Sequence, residues 1–120
     1  MGTFTAGAVV LIPFPFSDLS ESKLRPAVVL ASVRQNDWIL CQITSKPYSD
    51  PSAIIITDNS FAQGSLQRES YARPGKLFTA NRQIITAQVG LLEINSLKKI
   101  INATVAILRA GLDTHQGKTS

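Results

Sequence analysis

The chain has 120 residues, of which 44% are hydrophobic and 17% charged, with a formal net charge of +4. This length suits one compact domain, and the low charged fraction argues against intrinsic disorder. Cys41 is the single cysteine and His115 the single histidine, which excludes an internal disulfide, a four-ligand zinc site and paired-histidine chemistry within one chain.

Short β-branched and apolar runs predict a series of strands. The first covers residues 8–12 and is expected to end at Pro13, since proline cannot donate to a central ladder. Residues 17–23 predict a loop, residues 59–64 a break between strands, and Pro74-Gly75 a turn. The other predicted strands cover residues 26–33, 38–44, 53–57, 76–79 and 84–91. Trp38 and Cys41 are expected to be packing residues.

From Leu97 onward the apolar residues follow helical spacing. We expect Asn95 or Ser96 to cap this helix and Gly111 to end it, with residues 112–120 as a tail. The apolar positions are Leu97, Ile100, Ile101, Val105 and Leu108. Several short strands followed by one amphipathic helix predict a mainly β (α+β) single domain, 1–120, with a small barrel or strongly curved sheet.

The polar segment 34–37 has the composition of a tight hairpin turn. A two-residue loop at 35–36 would place Ala27 opposite Thr44, with Arg25 on the same face as a diagonal neighbour about 7–8 Å away. A loop at 36–37 keeps Arg25 and Thr44 on one face, whereas a three-residue loop would separate them.

This hairpin gathers groups that suit a phosphate, because guanidinium and ammonium supply charge and hydroxyls donate hydrogen bonds. The alternative explanation is an ordinary solvated hairpin end with surface Lys and Arg. The gathered residues are Lys23, Arg25, Thr44, Ser45 and Lys46.

At these residues the sequence resembles the MazF/PemK family of toxin endoribonucleases from toxin–antitoxin systems. The resemblance covers roughly residues 7–108. It is carried by the Arg25-Pro26 start of one strand, the Ile43-Thr44 end of the next, Gly7 with the valines after it, and the segments 64–79 and 89–91.

The resemblance implies an SH3-like barrel that forms a homodimer, binds a cognate antitoxin protein, and cleaves single-stranded RNA at short sequences without metal or other cofactor. By motif, Arg25 and Thr44 are the family's catalytic pair. Arg68 and Ser70 fall where family members carry RNA-contacting or catalytic polar groups.

Cleavage without metal requires the RNA's own 2′-OH to attack the adjacent phosphate. Arg25 would stabilise the phosphorane and Thr44 would orient the phosphate. The proton acceptor stays open among a desolvated Arg25, Glu21, Glu69 and water.

Base contacts are expected from the loop Phe14 to Leu24, with Phe16 as a stacking surface. Phe14 and Phe16 could equally fill core or dimer space. Tyr71 and Arg73 could line the same groove or belong to an ordinary strand surface.

Two other functions stay open. A toxin of the same fold could poison gyrase by binding protein, and a binding module could have lost catalysis, because Ala8 and Ser70 stand where acidic residues occur in family members. No apolar run approaches the roughly 18 residues of a membrane span. A secretory signal has basic residues before its apolar run, and no Lys or Arg precedes the first apolar run of this sequence. These features predict a cytoplasmic protein without a membrane partner.

Overall fold

The computed structural model describes residues 4–14, 23–47 and 49–115. These residues form a curved antiparallel sheet in the strand order β4-β6-β3-β2-β1-β7-β5, followed by one long helix. The elements are β1 (Ala8–Phe14), β2 (Lys23–Ser32), β3 (Asp37–Thr44), β4 (Ile54–Ile56), β5 (Phe61–Gly64), β6 (Ser70–Asn81), β7 (Ala87–Leu92) and α1 (Ile94–His115). The predicted mainly β class with a C-terminal helix is confirmed.

The central strands β1, β2 and β3 are buried on both faces, as their continuous apolar runs predict. On one face Val9, Val28 and Ile43 pack with residues of helix α1. On the other face Trp38 packs in a second cluster and meets the Phe4 ring edge to face at 5.4 Å. Burial also raises the pKa of the Cys41 thiol to about 12. Trp38 and Cys41 are therefore packing residues, as predicted.

Strand β1 does not end before Pro13, so this prediction is wrong. It continues to Phe14, and Pro13 pairs with Leu24 of β2. The ladder to β7 covers only Ala8 to Leu11. Pro13 therefore has a strand neighbour on one side only, where the missing N–H breaks no ladder.

The β2–β3 turn lies where the sequence predicts it, with Gln35 and Asn36 in the left-handed region at φ of 56° and 69°. The predicted pairing of Ala27 with Thr44 is wrong, because two one-residue shifts displace the ladder: Ser32 pairs with Trp38 beside the turn, and a bulge follows between Val29 and Ala31. Ala27 instead pairs with Gln42. A bulge inserts one extra residue, and no composition signal in β2 marks it.

Strand β6 runs without a break through Pro74-Gly75, so the predicted turn is wrong. The ladder to β3 pairs Ile43 with Ala72 and Cys41 with Leu77. Residues 73–76 therefore span a bulge that bends the strand instead of reversing it.

Two shorter assignments also change. Residues 61–64 form strand β5 after a one-turn 3₁₀ helix at Asp58–Ser60. The predicted strand 84–91 is instead a 3₁₀ turn, Arg82–Ile84, followed by β7. Both 3₁₀ turns occupy connections that composition alone marks only as polar.

Helix α1 begins three residues before Leu97 and continues past Gly111 to His115. Its N-terminal cap is Glu93, not the predicted Asn95 or Ser96. The Glu93 carboxylate accepts hydrogen bonds from the Asn95 N–H at 3.1 Å, the Ser96 N–H at 2.9 Å and the Ser96 hydroxyl at 2.7 Å. Residues 112–115 are helical, and residues 116–120 lie outside the described part of the chain.

These hydrogen bonds should make stability depend on pH. The Ser96 hydroxyl first, then the Asn95 N–H, lowers the pKa of Glu93 from its ordinary 4.5. A carboxyl with a lowered folded-state pKa stabilises the fold above its unfolded pKa and loses that contribution as pH falls through the folded value. We expect the melting temperature to fall below about pH 4.5, and the Glu93→Gln variant to show a shallower fall. The two proteins should converge once the pH falls below the folded-state pKa of Glu93; parallel curves would contradict this role.

Candidate functional site

An open cleft lies where β2 begins and β3 ends. The β2–β3 ladder ends at Ala27 and Gln42. Continued by two residues, its register puts Arg25 and Thr44 on the same face of the sheet, and both line the cleft. The bulge therefore restores the shared face that the one-residue shift beside the turn removes.

The cleft has a volume of about 250 Å³ and both polar and apolar walls. Its polar lining comprises Arg25, Thr44, Ser45, Arg68 and Ser70. Its apolar lining comprises Leu11, Leu24, Pro26, Ile43 and Leu66. None of these described lining residues is acidic, so the two guanidinium groups give the cleft a positive potential that favours an anion.

The Thr44 hydroxyl is held by its own loop. Its oxygen accepts a hydrogen bond from the Lys46 backbone N–H at 3.1 Å. A hydroxyl has one hydrogen to donate besides the lone pairs that accept. The contact therefore fixes the side chain while leaving the hydroxyl hydrogen available to a ligand oxygen.

The opposite wall is the segment between β5 and β6. Ser70 is buried, and its hydroxyl donates to the Arg68 carbonyl at 3.2 Å. This bond closes the turn that brings the exposed Arg68 to the cleft. Ser70 therefore shapes the wall from within the fold.

The structure does not bring every predicted site residue to the cleft. Lys23 and Lys46 are exposed but do not line it. The Tyr71 hydroxyl lies 3.5 Å from a Glu69 carboxylate oxygen, and the Arg73 Nε pairs with the Asp50 carboxylate at 3.0 Å.

Tyr71 and Arg73 do not line this cleft. Tyr71 is the ladder partner of Thr44 on β6. Arg73 lies at the start of the bulged segment and pairs with Asp50, which lowers the pKa of that carboxyl. Phe16 and Glu21 lie outside the described residues, and Glu69 does not line the cleft.

The sequence profile of PemK-like, MazF-like toxins of type II toxin–antitoxin systems matches residues 5–108. This chain belongs to that family. No curated protein gives a significant match to the sequence.

Solved structures show the same MazF-like fold. An endoribonuclease in complex with its cognate antitoxin, from Mycobacterial species, superposes with a TM-score of 0.68 at 12% identity, covering 90% of this chain and 95% of that one. Mycobacterium tuberculosis toxin MazF-mt6 gives 0.66 at 13% identity, with coverages of 85% and 96%. A MazE-MazF structure from Deinococcus radiodurans gives 0.64 at 16% identity, with coverages of 86% and 92%.

Two further features of this MazF/PemK member bear on cofactors and membranes. Within residues 4–14, 23–47 and 49–115, no three His, Cys, Asp or Glu side chains group as metal ligands would. In the same ranges, no helix is long and apolar enough to cross a membrane.

Sequence reasoning missed the apolar half of the site. It assigned base stacking to Phe16, included Leu24 only as the end of the base-contacting loop, and gave no role to Leu66; Leu24 and Leu66 both line the cleft. Leu66 is far from Leu24 along the chain, and only the path of β5 and the turn after it brings the two together. The one signal was the position of Leu66 in the family-like segment 64–79.

Proposed function

We propose that this MazF/PemK member is a toxin endoribonuclease that cleaves single-stranded RNA at selected sequences, acts without metal in the cytoplasm, and uses the substrate's own 2′-OH as nucleophile. The observation that carries the proposal is that Arg25, Thr44 and Arg68 line one cleft. The structural neighbours are endoribonucleases and MazF toxins, which supports the same activity.

The chemistry requires a 2′-oxygen–phosphorus bond to form while the bond from phosphorus to the 5′-oxygen breaks. Arg25 stabilises the negative charge that develops on the phosphorane oxygens. The Thr44 hydroxyl donates to one of those oxygens and orients the phosphate. A charged Arg25 has no site to accept a proton, and Glu69 does not line the cleft. The 2′-OH proton therefore passes to water or to Glu21, and the departing 5′-oxygen takes up a proton from water.

The remaining lining residues hold the RNA. Arg68 binds a neighbouring phosphate, since guanidinium recognises phosphate oxygens in pairs. Leu24, Pro26 and Leu66 form an apolar surface for one base. A cleft of about 250 Å³ is below the roughly 300–1,000 Å³ of sites that enclose drug-sized ligands, which suits one nucleotide.

Two protein partners belong to this proposal. A cognate antitoxin is supported by neighbours solved as complexes with antitoxins. A homodimer is supported by apolar side chains on helix α1 that are exposed at helical spacing, namely Val105, Leu108 and Leu112. A monomer in sedimentation would contradict the dimer.

The products of cleavage test the reaction. In EDTA, purified protein should cut a long RNA and leave a 2′,3′-cyclic phosphate and a 5′-hydroxyl. A short RNA that carries the mapped site with a single 2′-deoxy substitution at the attacking sugar should not be cut, because the nucleophile is missing.

Other outcomes would replace the proposal. Cleavage of the 2′-deoxy RNA, or cleavage only with added Mg²⁺, would contradict the mechanism. If no RNA is cut, a gyrase supercoiling assay separates a gyrase poison from an inactive binding module.

A further inference from the structure

We propose that Asp58 and Ser65 are positioning residues for this site, because they hold the turn that presents Leu66 and Arg68 to the cleft. The inference rests on the proposed RNA cleavage and adds a device that keeps one wall of the cleft in place. Neither side chain lines the cleft, so both would act through Leu66 and Arg68.

The Ser65 hydroxyl takes part in two hydrogen bonds. Its hydroxyl donates to the Asp58 carboxylate at 2.6 Å, and the same oxygen accepts from the Gln67 N–H at 2.8 Å. A bond this short between a hydroxyl and a carboxylate is charge-assisted and among the stronger kinds. Ser65 therefore connects a fixed acid to the backbone of the turn.

These hydrogen bonds maintain an unusual backbone conformation at Gln67. Gln67 has a φ of +61°, in the left-handed region that non-glycine residues adopt at an energetic cost. Such a residue keeps this conformation only when its surroundings impose it. The hydrogen bond from the Gln67 N–H to Ser65 imposes the conformation. Gln67 lies between Leu66 and Arg68 in the sequence, so its conformation sets the direction of both.

Asp58 is itself held by hydrogen bonds to the rest of the fold. Asp58 begins a 3₁₀ turn that is closed by the Thr57 N–H donating to the Ser60 hydroxyl at 3.1 Å. The Ser60 carbonyl accepts from the Glu93 N–H at 2.8 Å, at the start of helix α1. Asp58 is therefore tied to the body of the fold, and the bond to Ser65 crosses from one end of β5 to the other.

Charge and position predict opposite effects for Asp58. On charge alone, its loss would strengthen binding of a polyanion. As a positioning residue, its loss releases Arg68 and weakens binding. The sign of the change in RNA affinity therefore separates the two explanations.

The test compares four variants for RNA cleavage in EDTA: Asp58→Ala, Ser65→Ala, Asp58→Asn and Asp113→Ala. Asp58→Ala and Ser65→Ala should raise KM about three- to tenfold while kcat changes less than about twofold, because a binding contact shared by ground and transition states is lost. Asp58→Asn keeps an oxygen that accepts from Ser65, so its KM should be close to the wild-type value. Asp113→Ala removes an acid on the exposed end of helix α1 and controls for charge.

Coupling shows whether Asp58 acts through Arg68. In an Arg68→Ala background, Asp58→Ala should raise KM by a clearly smaller factor than in wild type, since residues acting through a shared contact are not additive. Additive effects, or a KM lowered by Asp58→Ala, would overturn the proposal.

Limited trypsin digestion after Arg68 reads the turn without reference to RNA. Cleavage there should be several-fold faster in Asp58→Ala and Ser65→Ala than in Asp58→Asn or wild type, and equal rates would overturn the proposal. If wild type cuts no RNA, the proposed function fails, and digestion alone decides whether Asp58 and Ser65 hold the turn.

Discussion

Replacing Arg25 with alanine is expected to lower the rate of RNA cleavage by about 10²–10³-fold in EDTA, which is the usual effect of removing one group that stabilises a developing oxyanion. Arg25 is the guanidinium that lines the cleft together with Thr44, just beyond the end of the β2–β3 ladder. Its side chain is exposed, so the substitution creates no core cavity. Single-turnover cleavage of a mapped RNA site, with thermal unfolding of the same preparation, measures both effects.

Arg34→Ala is the matched control. Arg34 is also exposed, and its replacement removes the same charge. It lies in the turn at the opposite end of β2. The hydrogen bond there uses its backbone carbonyl, which alanine retains. If Arg25→Ala keeps near wild-type cleavage, or if Arg34→Ala loses as much, Arg25 does not have the proposed role.

The central strands could be predicted because their residues agree locally with the final fold. Residues 26–33 and 38–44 are apolar runs of strand length, and the Asn36 region favours left-handed turn conformations. These features depend on neighbours in sequence, so a single chain reveals them.

The register at the site could not be derived in this way. It depends on the bulge between Val29 and Ala31, which returns Arg25 and Thr44 to one face of the sheet. No residue in the turn indicates this shift. In β6, Pro74 and Gly75 carry strong turn signals, yet packing against β3 keeps the strand continuous around a bulge. Tertiary pairing overrides local preference at both places.

The wall of the cleft formed by Leu66, Arg68 and Ser70 also could not be predicted from residues close together in the sequence. Arg68 and Ser70 could be assigned only by family resemblance, because they reach Arg25 through the path of β5 and the turn after it. Leu66 and the Asp58–Ser65 contact had no signal of their own. The helix illustrates the same limit, since Glu93 caps it from outside the apolar pattern.

Gly64→Ala should destabilise the fold by about 3 kcal/mol or more, a loss of roughly 10 °C or more in melting temperature for a domain of this size. Gly64 has a φ of +75°, where a side chain is strained. An added Cβ would also lie 2.2 Å from the Val89 carbonyl oxygen and 2.6 Å from the Gly90 Cα. Both neighbours are backbone atoms of β7, so neither can move without breaking the β5–β7 ladder.

Gly111→Ala makes the same chemical change with the opposite expected sign. Gly111 lies inside helix α1, and an added Cβ there meets nothing within 4 Å. Alanine should stabilise the helix by about 0.4–1 kcal/mol. Because Gly64 immediately precedes Ser65 and the turn that carries Arg68, Gly64→Ala should also reduce cleavage at temperatures where the protein is folded, whereas Gly111→Ala should not. Equal melting temperatures for the two variants would show that the close approach of β5 to β7 does not constrain the fold.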